Sequence, residues 1–130
     1  MFARIQLLLF IFCLYFTNVT YAQDNLNNIV INIQNANTKE LAKNFNKRLD
    51  ITINQNENNY SIEQAEMVLR NFLNGLSERE MIVLQKGKSV DNTQFIIGTL
   101  NSKNSKYKTY ILLKNTNKVS LIHDIRFEKE

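Results

Sequence analysis

His123 is the only histidine in the chain of 130 residues, so proton transfer by an imidazole would have to pass through this one ring. Zinc spacing of the His-x-x-His or Cys/His kind is absent, and neither a metal nor a cofactor is expected. Asp50 lies between Leu49 and Ile51, where strand alternation turns it away from the core, and Asp124 shares the polar side of its strand with Arg126. Carboxylates placed this way are ordinarily solvated or ion-paired, and neither has a second carboxylate positioned for acid/base work. Gly87, shortly before Asp91-Asn92, punctuates a turn, and no glycine-rich loop is present to cradle a phosphate. Lys103 and Lys106 belong to one end of the strands described below, and Lys86, Lys88, Lys114 and Lys118 to the other. That group of four, interrupted by Asp91, could meet an acidic glycan or a lipid headgroup, although solvated strand ends are the commoner case.

The start of the chain bounds where this chemistry would operate. Met1-Phe-Ala-Arg4, the apolar run Ile5 to Phe16, and Thr20-Tyr21-Ala22 before Gln23-Asp24-Asn25 have the layout of a secretory signal peptide cleaved after Ala22. The apolar run is about a dozen residues, short of the roughly 20 that span a bilayer, so no membrane span is expected after cleavage. Phe12 precedes Cys13 where a lipoprotein signal would place Gly, Ala or Ser, so lipidation is not expected. Cys13 is the only cysteine, and its loss with the signal leaves a periplasmic or secreted chain with no disulfide and no thiol nucleophile. Residues 23–130 suffice for one domain with one core. Loss of Arg4 lowers the formal charge of +4 by one, far from the footprint of a nucleic-acid binder.

The elements follow from periodicity. Leu26, Ile29, Val30 and Ile33 recur at helical spacing, and Asn35-Ala-Asn37 breaks that helix. Asn37 is expected to cap a short second helix, with Glu40 in capping-box position and Leu41 and Phe45 on the buried side. Leu49, Ile51 and Ile53 alternate with Asp50, Thr52 and Asn54 as a half-buried strand, ended by an Asn-rich turn, Asn54 to Asn59. Ser61 and Gln64 form a capping box that opens a third helix, whose stripe is Ile62, Ala65, Leu69, Phe72 and Leu76, and Gly75 is expected to end it in a left-handed conformation. Asn59-Tyr-Ser61 also fits a glycosylation sequon, but Ser61 is better used as that cap.

Four strands then follow in a meander, Glu80 to Gln85, Phe95 to Leu100, Tyr107 to Lys114 and Val119 to Glu128. Phe95 to Leu100 and Tyr110 to Leu113 are apolar on both sides, so something besides the helices is expected to cover the outer face, with Ile96 and Leu112 as positions to test. Gly98 in mid-strand marks a bulge or bend. In the last hairpin, Lys108, Tyr110 and Lys114 match Ser120, Asp124 and Arg126, while Tyr107, Ile111 and Leu113 match Leu121, Ile125 and Phe127. This register excludes a simple two-residue Thr116-Asn117 turn, which would pair opposite faces, favours a loop one residue longer with Asn117 or Lys118 in a bulge, and puts His123 on the inner face.

Helix, helix, strand, helix and four meandering strands in one α+β domain resemble the nuclear transport factor 2-like fold, a curved, mostly antiparallel sheet wrapped round helices as a cone. More closely, Ala36 to Phe45, Leu49-Asp-Ile-Thr-Ile53, Tyr60 to Glu66 with Phe72, Ile97-Gly-Thr-Leu100, Tyr110 to Lys114 and Ile125-Arg-Phe-Glu128 resemble the Bacteroidetes domain-of-unknown-function family 4783. The resemblance covers nearly all of residues 23–130 and implies a small exported protein, but its motifs are caps, core positions and strands. It carries over no catalytic residue. Two readings follow. One is a non-enzymatic module that binds a small apolar or amphipathic ligand in the cone, or an exported protein, and forms a homodimer through the outer sheet face. The other, which the resemblance alone suggests, is an isomerase or dehydratase with His123 as general base in the cone and Tyr60 or Tyr107 polarising a substrate oxygen. The rival role for His123, among Leu121, Ile125 and Phe127, is that of a hydrogen-bonded residue at the edge of a core.

Overall fold

A computed structural model describes residues 21–130. The signal peptide expected over residues 1–22, and Cys13 within it, lie outside the described residues except for the backbone of its last two positions. Three helices, α1 (Tyr21–Gln34), α2 (Thr38–Ala42) and α3 (Ile62–Asn74), accompany six strands. These are β1 (Phe45–Ile53), β2 (Asn56–Ser61), β3 (Glu80–Lys88), β4 (Gln94–Asn101), β5 (Lys106–Thr116) and β6 (Val119–Lys129). The sheet runs β2-β1-β6-β5-β4-β3, antiparallel throughout except for the parallel pair β1 and β6. Among the described residues no helix is long and apolar enough to cross a membrane.

The periodic segments fold as their spacing predicts, and the corrections fall where caps and turns compete. Ser61 and Gln64 make the reciprocal capping box of α3. Asn37 precedes α2 but makes no side-chain cap, and Glu40 instead meets Lys43 at 2.8 Å. The reason lies one turn earlier. Asn37 N–H closes onto Asn32 O at 2.8 Å and Ala36 N–H onto Ile33 O at 3.1 Å, which is the Schellman ending of α1, with Ala36 left-handed at φ 54. Gly75 keeps φ −73 and is not left-handed. The end of α3 is held by Arg79, whose guanidinium donates to Leu73 O at 2.8 Å, Leu76 O at 2.6 Å and, from α1, Gln34 O at 3.0 Å. One cation thus satisfies the open carbonyl ends of two helices.

The Asn-rich segment is a correction of a different kind. Asn54 and Gln55, at φ 51 and 72, form a two-residue hairpin turn, and Asn56 to Ser61 pairs along β1 as a sixth strand. Asparagine disfavours strands, but β1 presents an open edge and the turn fixes the register. Phe45, expected on the second helix, opens β1 and is buried.

One side of the sheet is filled against the helices. Ile29, Ile33, Leu41, Leu49, Leu69, Leu73, Ile96, Leu100, Ile111, Leu113, Ile125 and Phe127 are buried to within about one per cent of completeness. Phe72 meets Phe127 at 4.9 Å and Tyr107 edge-on at 5.2 Å between ring centroids. Ile96 belongs to this core, opposite Ile111, so it is Ile97, opposite Tyr110, that faces outward.

Besides a register shift of β1 against β6 between Phe45 and Asp50, two single-residue bulges bend the sheet around that core. In β3 the pairs Val83 with Gly98 and Gln85 with Ile97 leave Leu84 unmatched, so the irregularity lies beside Gly98 on the neighbouring strand. A Cβ on Gly98 would collide with the carbonyl oxygen of Ile82, which is backbone and cannot turn aside. Gly87 faces Phe95, whose ring end would stand 2.6 Å from an added Cβ but is free to move. In urea titrations, Gly98→Ala is expected to cost about 2–3 kcal/mol and Gly87→Ala to stay within about 1 kcal/mol. Ala36→Gly is expected to raise stability by roughly 1 kcal/mol, because it relieves a left-handed alanine.

Candidate functional site

The second bulge decides where the histidine goes. Thr116 pairs with Val119 across a two-residue turn, Asn117 and Lys118, at φ 51 and 66. The expected three-residue loop is therefore not formed. The extra residue that the matching faces demanded is taken up inside β6, where Leu113 pairs with Ile122, Leu112 with Asp124, and His123 stands between them without an opposite residue. Its charged neighbours are Lys114 and Asp50. Both sit on the outer side, one residue from the inward-facing Leu113 and between the buried Leu49 and Ile51. His123 thus lies outward with Asp124 rather than inward with Ile122 and Ile125, contrary to the expectation from alternation: one extra residue in a strand of period two reverses the side.

Around the bulge a polar ladder crosses four strands on the outer face. Asn59 accepts from Arg48 Nε and donates to Asp50 Oδ1 at 2.8 Å. Asp124 pairs in register with Asp50 and accepts Arg126 Nε at 3.0 Å and Nη2 at 2.7 Å, both on Oδ2. Arg126 in turn lies 5.6 Å over the Tyr110 ring, and the Asp124 carboxylate holds its guanidinium protonated beyond its ordinary range. Asp124 Oδ1 and His123 Nε2 are buried without a hydrogen-bond partner. Burial, then the charge of Lys114, push the His123 pKa below its ordinary value, against the opposing pull of Asp50.

This arrangement does not assemble a general base with a polarising tyrosine. Tyr107 is buried opposite Lys129, five positions along β5 from the bulge, or about 17 Å at the rise of a strand. Tyr60 pairs with the buried Leu49 and packs its ring against the core on the inner side, across the sheet from His123. None of the four described cavities is lined by any of the three. Among the described residues no three His, Cys, Asp or Glu side chains converge on a metal-sized point.

What the outer face does offer is a groove of about 560 Å³ over β3 to β6, lined by Leu84, Ile97, Lys108, Tyr110, Arg126 and Glu128 among others. Leu84 is 69 % exposed, Ile82 39 % and Ile97 37 %. The doubly apolar strands pointed to this patch, but the bulged Leu84 had no signal in alternation, and the choice between Ile96 and Ile97 needed the pairing of β4.

The profile of a domain of unknown function, DUF4783, matches residues 26–128. The chain belongs to the DUF4783 family. A DUF4783 protein from Bacteroides uniformis is similar at 22 % identity with a TM-score of 0.73, over 78 % of this chain and 94 % of that one. Another from Bacteroides fragilis is similar at 23 % identity with a TM-score of 0.72, over 78 % of this chain and 95 % of that one. An NTF2-like protein of unknown function from Cytophaga hutchinsonii shares 10 % identity with a TM-score of 0.61, over 88 % and 94 % of the two chains. Among curated proteins none matches the chain. The DUF4783 domain therefore has the α+β NTF2-like fold, with β2 added to the expected order of elements.

Because the folded imidazole binds its proton less readily than the unfolded one, protonation favours unfolding. The stability His123 contributes is present above the ordinary pKa of 6.5 and is lost as pH falls through that value towards the folded pKa. Urea titrations at pH 7.5 and 5.5 are expected to show a smaller acid loss for His123→Gln than for the parent. An equal loss in both would mean that the ring does not titrate differently on folding.

Proposed function

We propose that this DUF4783 domain is an exported, non-enzymatic binding module that acts as a homodimer through the outer face of its sheet. The observation that carries the reading is the strip Leu84, Ile97 and Ile82, exposed side by side on β3 and β4 while the opposite side of the sheet is closed by the core. Contiguous apolar surface of this kind is characteristic of an interface. The groove beside it carries Lys108 and Arg126 together with Glu128 and Glu130. Under a two-fold axis, cations of one copy can meet carboxylates of the other, so the face complements itself. Six strands about 4.8 Å apart and about 30 Å long offer roughly 800 Å², the area a stable dimer takes from each partner.

A ligand held between helices and sheet gains no support, because that side is packed with Ile, Leu and Phe. The isomerase or dehydratase reading likewise has no observation in its favour, since Tyr60 and Tyr107 lie away from His123.

Sedimentation velocity of the purified, never-denatured protein is expected to give twice the mass of one chain at micromolar concentration. Leu84→Lys and Ile97→Lys are each expected to give the mass of one chain with an unchanged circular dichroism spectrum. A single-chain mass for the parent, or a double mass that survives both substitutions, overturns the dimer.

A further inference from the structure

Where β3 ends, β4 begins and the β5–β6 hairpin turns, the fold gathers side-chain amides. A cavity of about 450 Å³ is lined by Asn25, Asn44, Asn92, Gln94 and Asn115, with Lys88 and Lys118. A second, of about 420 Å³, shares Asn25 and Asn44 and adds Asn28, Asn32 and Lys43. Asn25, Asn28 and Asn32 follow one another at helical spacing and so form one side of α1. The others come from distant parts of the chain. Asn44 is fixed between α2 and β1, where its carbonyl accepts Ile122 N–H at 2.7 Å. Asn92 and Lys118 occupy turn positions at φ 64 and 66.

The lining has a definite chemistry. Each carboxamide presents an acceptor and two donors in one plane, which suits hydroxyl groups that both donate and accept. Val119 is the apolar exception, and neither cavity has an aromatic ring on which a base could stack. Glu40 is the one acid in either lining, and it is bridged to Lys43 at 2.8 Å. The nearby Asp91 is turned into its own loop, accepting from Ser89 and, at 3.2 Å, from Thr93 N–H, bonds that hold its pKa at about 2. With Lys43 taken up by Glu40, Lys88 and Lys118 leave the lining positive, which favours an anion. Each cavity has the size of a small-ligand site, for which about 300–1,000 Å³ is usual.

We propose that this groove binds an acidic oligosaccharide, with hydroxyls on the asparagine and glutamine amides and carboxylates on Lys88 and Lys118. The site lies at the strand ends, apart from the Leu84 and Ile97 strip, and does not depend on the dimer.

The test is titration of the purified protein with uronic-acid oligosaccharides (oligogalacturonate and oligomannuronate) and their carboxyl-reduced neutral counterparts, followed by NMR of the side-chain amide signals. At least one acidic sugar is expected to shift the signals of Asn25, Asn44, Asn92, Gln94 and Asn115. Lys88→Gln combined with Lys118→Asn, the latter keeping a residue that tolerates positive φ, is expected to weaken that binding about tenfold or more. The same pair should leave the weaker neutral binding unchanged, whereas Asn25→Leu with Asn115→Leu should weaken both. Each variant counts only if its backbone spectrum away from the groove matches the parent, and the four single substitutions stand in for any pair that does not. The proposal is overturned if no sugar shifts these amides, or if inorganic polyphosphate shifts them as strongly and binds as tightly, which would make this a general polyanion patch.

Discussion

A sheet that wraps helices on one side is bent, and in this domain two single-residue bulges contribute to the bending beside the register shift of β1 against β6 between Phe45 and Asp50. Leu84 in β3 and His123 in β6 are each unmatched across the ladder, and an inserted residue both sharpens the twist and changes which side the following residues face. The first bulge works because Gly98 lets the Ile82 carbonyl approach where any side chain would block it. The second lets Ile122 and Ile125, three residues apart, both reach the core. Without that offset, strict alternation would turn one of them into solvent, at a cost of about 1.5–3 kcal/mol for such a side chain.

The electrostatics of the outer face follow from the same offset. Asp124 sits beside Asp50 in the parallel register of β1 and β6, which places two like charges on neighbouring strands. Arg126 on Asp124 and Asn59 on Asp50 answer them separately. The side chain of Asp124 is only 10 % exposed, so its pairing with Arg126 is far less screened than the exposed pair of Lys43 with Glu40. Helix ends are handled with similar economy. α1 closes on itself through Ala36, and Arg79 gathers the last carbonyls of α1 and α3. The Gln34 side chain also accepts Met81 N–H at 3.0 Å, which ties α1 to the edge strand β3 and occupies part of an edge that would otherwise be open to pairing.

Two surfaces remain that the core does not explain. One is apolar, on β3 to β5; the other is amide-lined, at the strand ends. They differ in origin as well as chemistry. The apolar strip arises on adjacent strands, from outward residues of β3 and β4 and the bulged Leu84, whereas the amide groove collects residues from helix, loops and turns that lie far apart in the chain. Composition alone reads the asparagines as filler in loops. Only their convergence makes them one surface.

What the sequence by itself determined is what local periodicity and local chemistry control. The stripe of α3, its Ser61 and Gln64 box, the inward set Tyr107, Ile111 and Leu113 and the existence of four C-terminal strands are fixed by spacing that any compact fold must honour. The demand for one extra residue near the last hairpin was legible too, because the two polar faces had to match. Its location was not. A two-residue turn at Asn117 and Lys118 suits the twist of the strands, and whether the offset falls in the loop or within β6 depends on how β1, β5 and β6 pack together. The same holds for β2, whose asparagines become a strand only because β1 leaves an edge to pair with, and for the choice of Ile96 over Ile97. Side of sheet, partner strand and meeting of distant amides are properties of three-dimensional pairing, and the tertiary structure alone decided them.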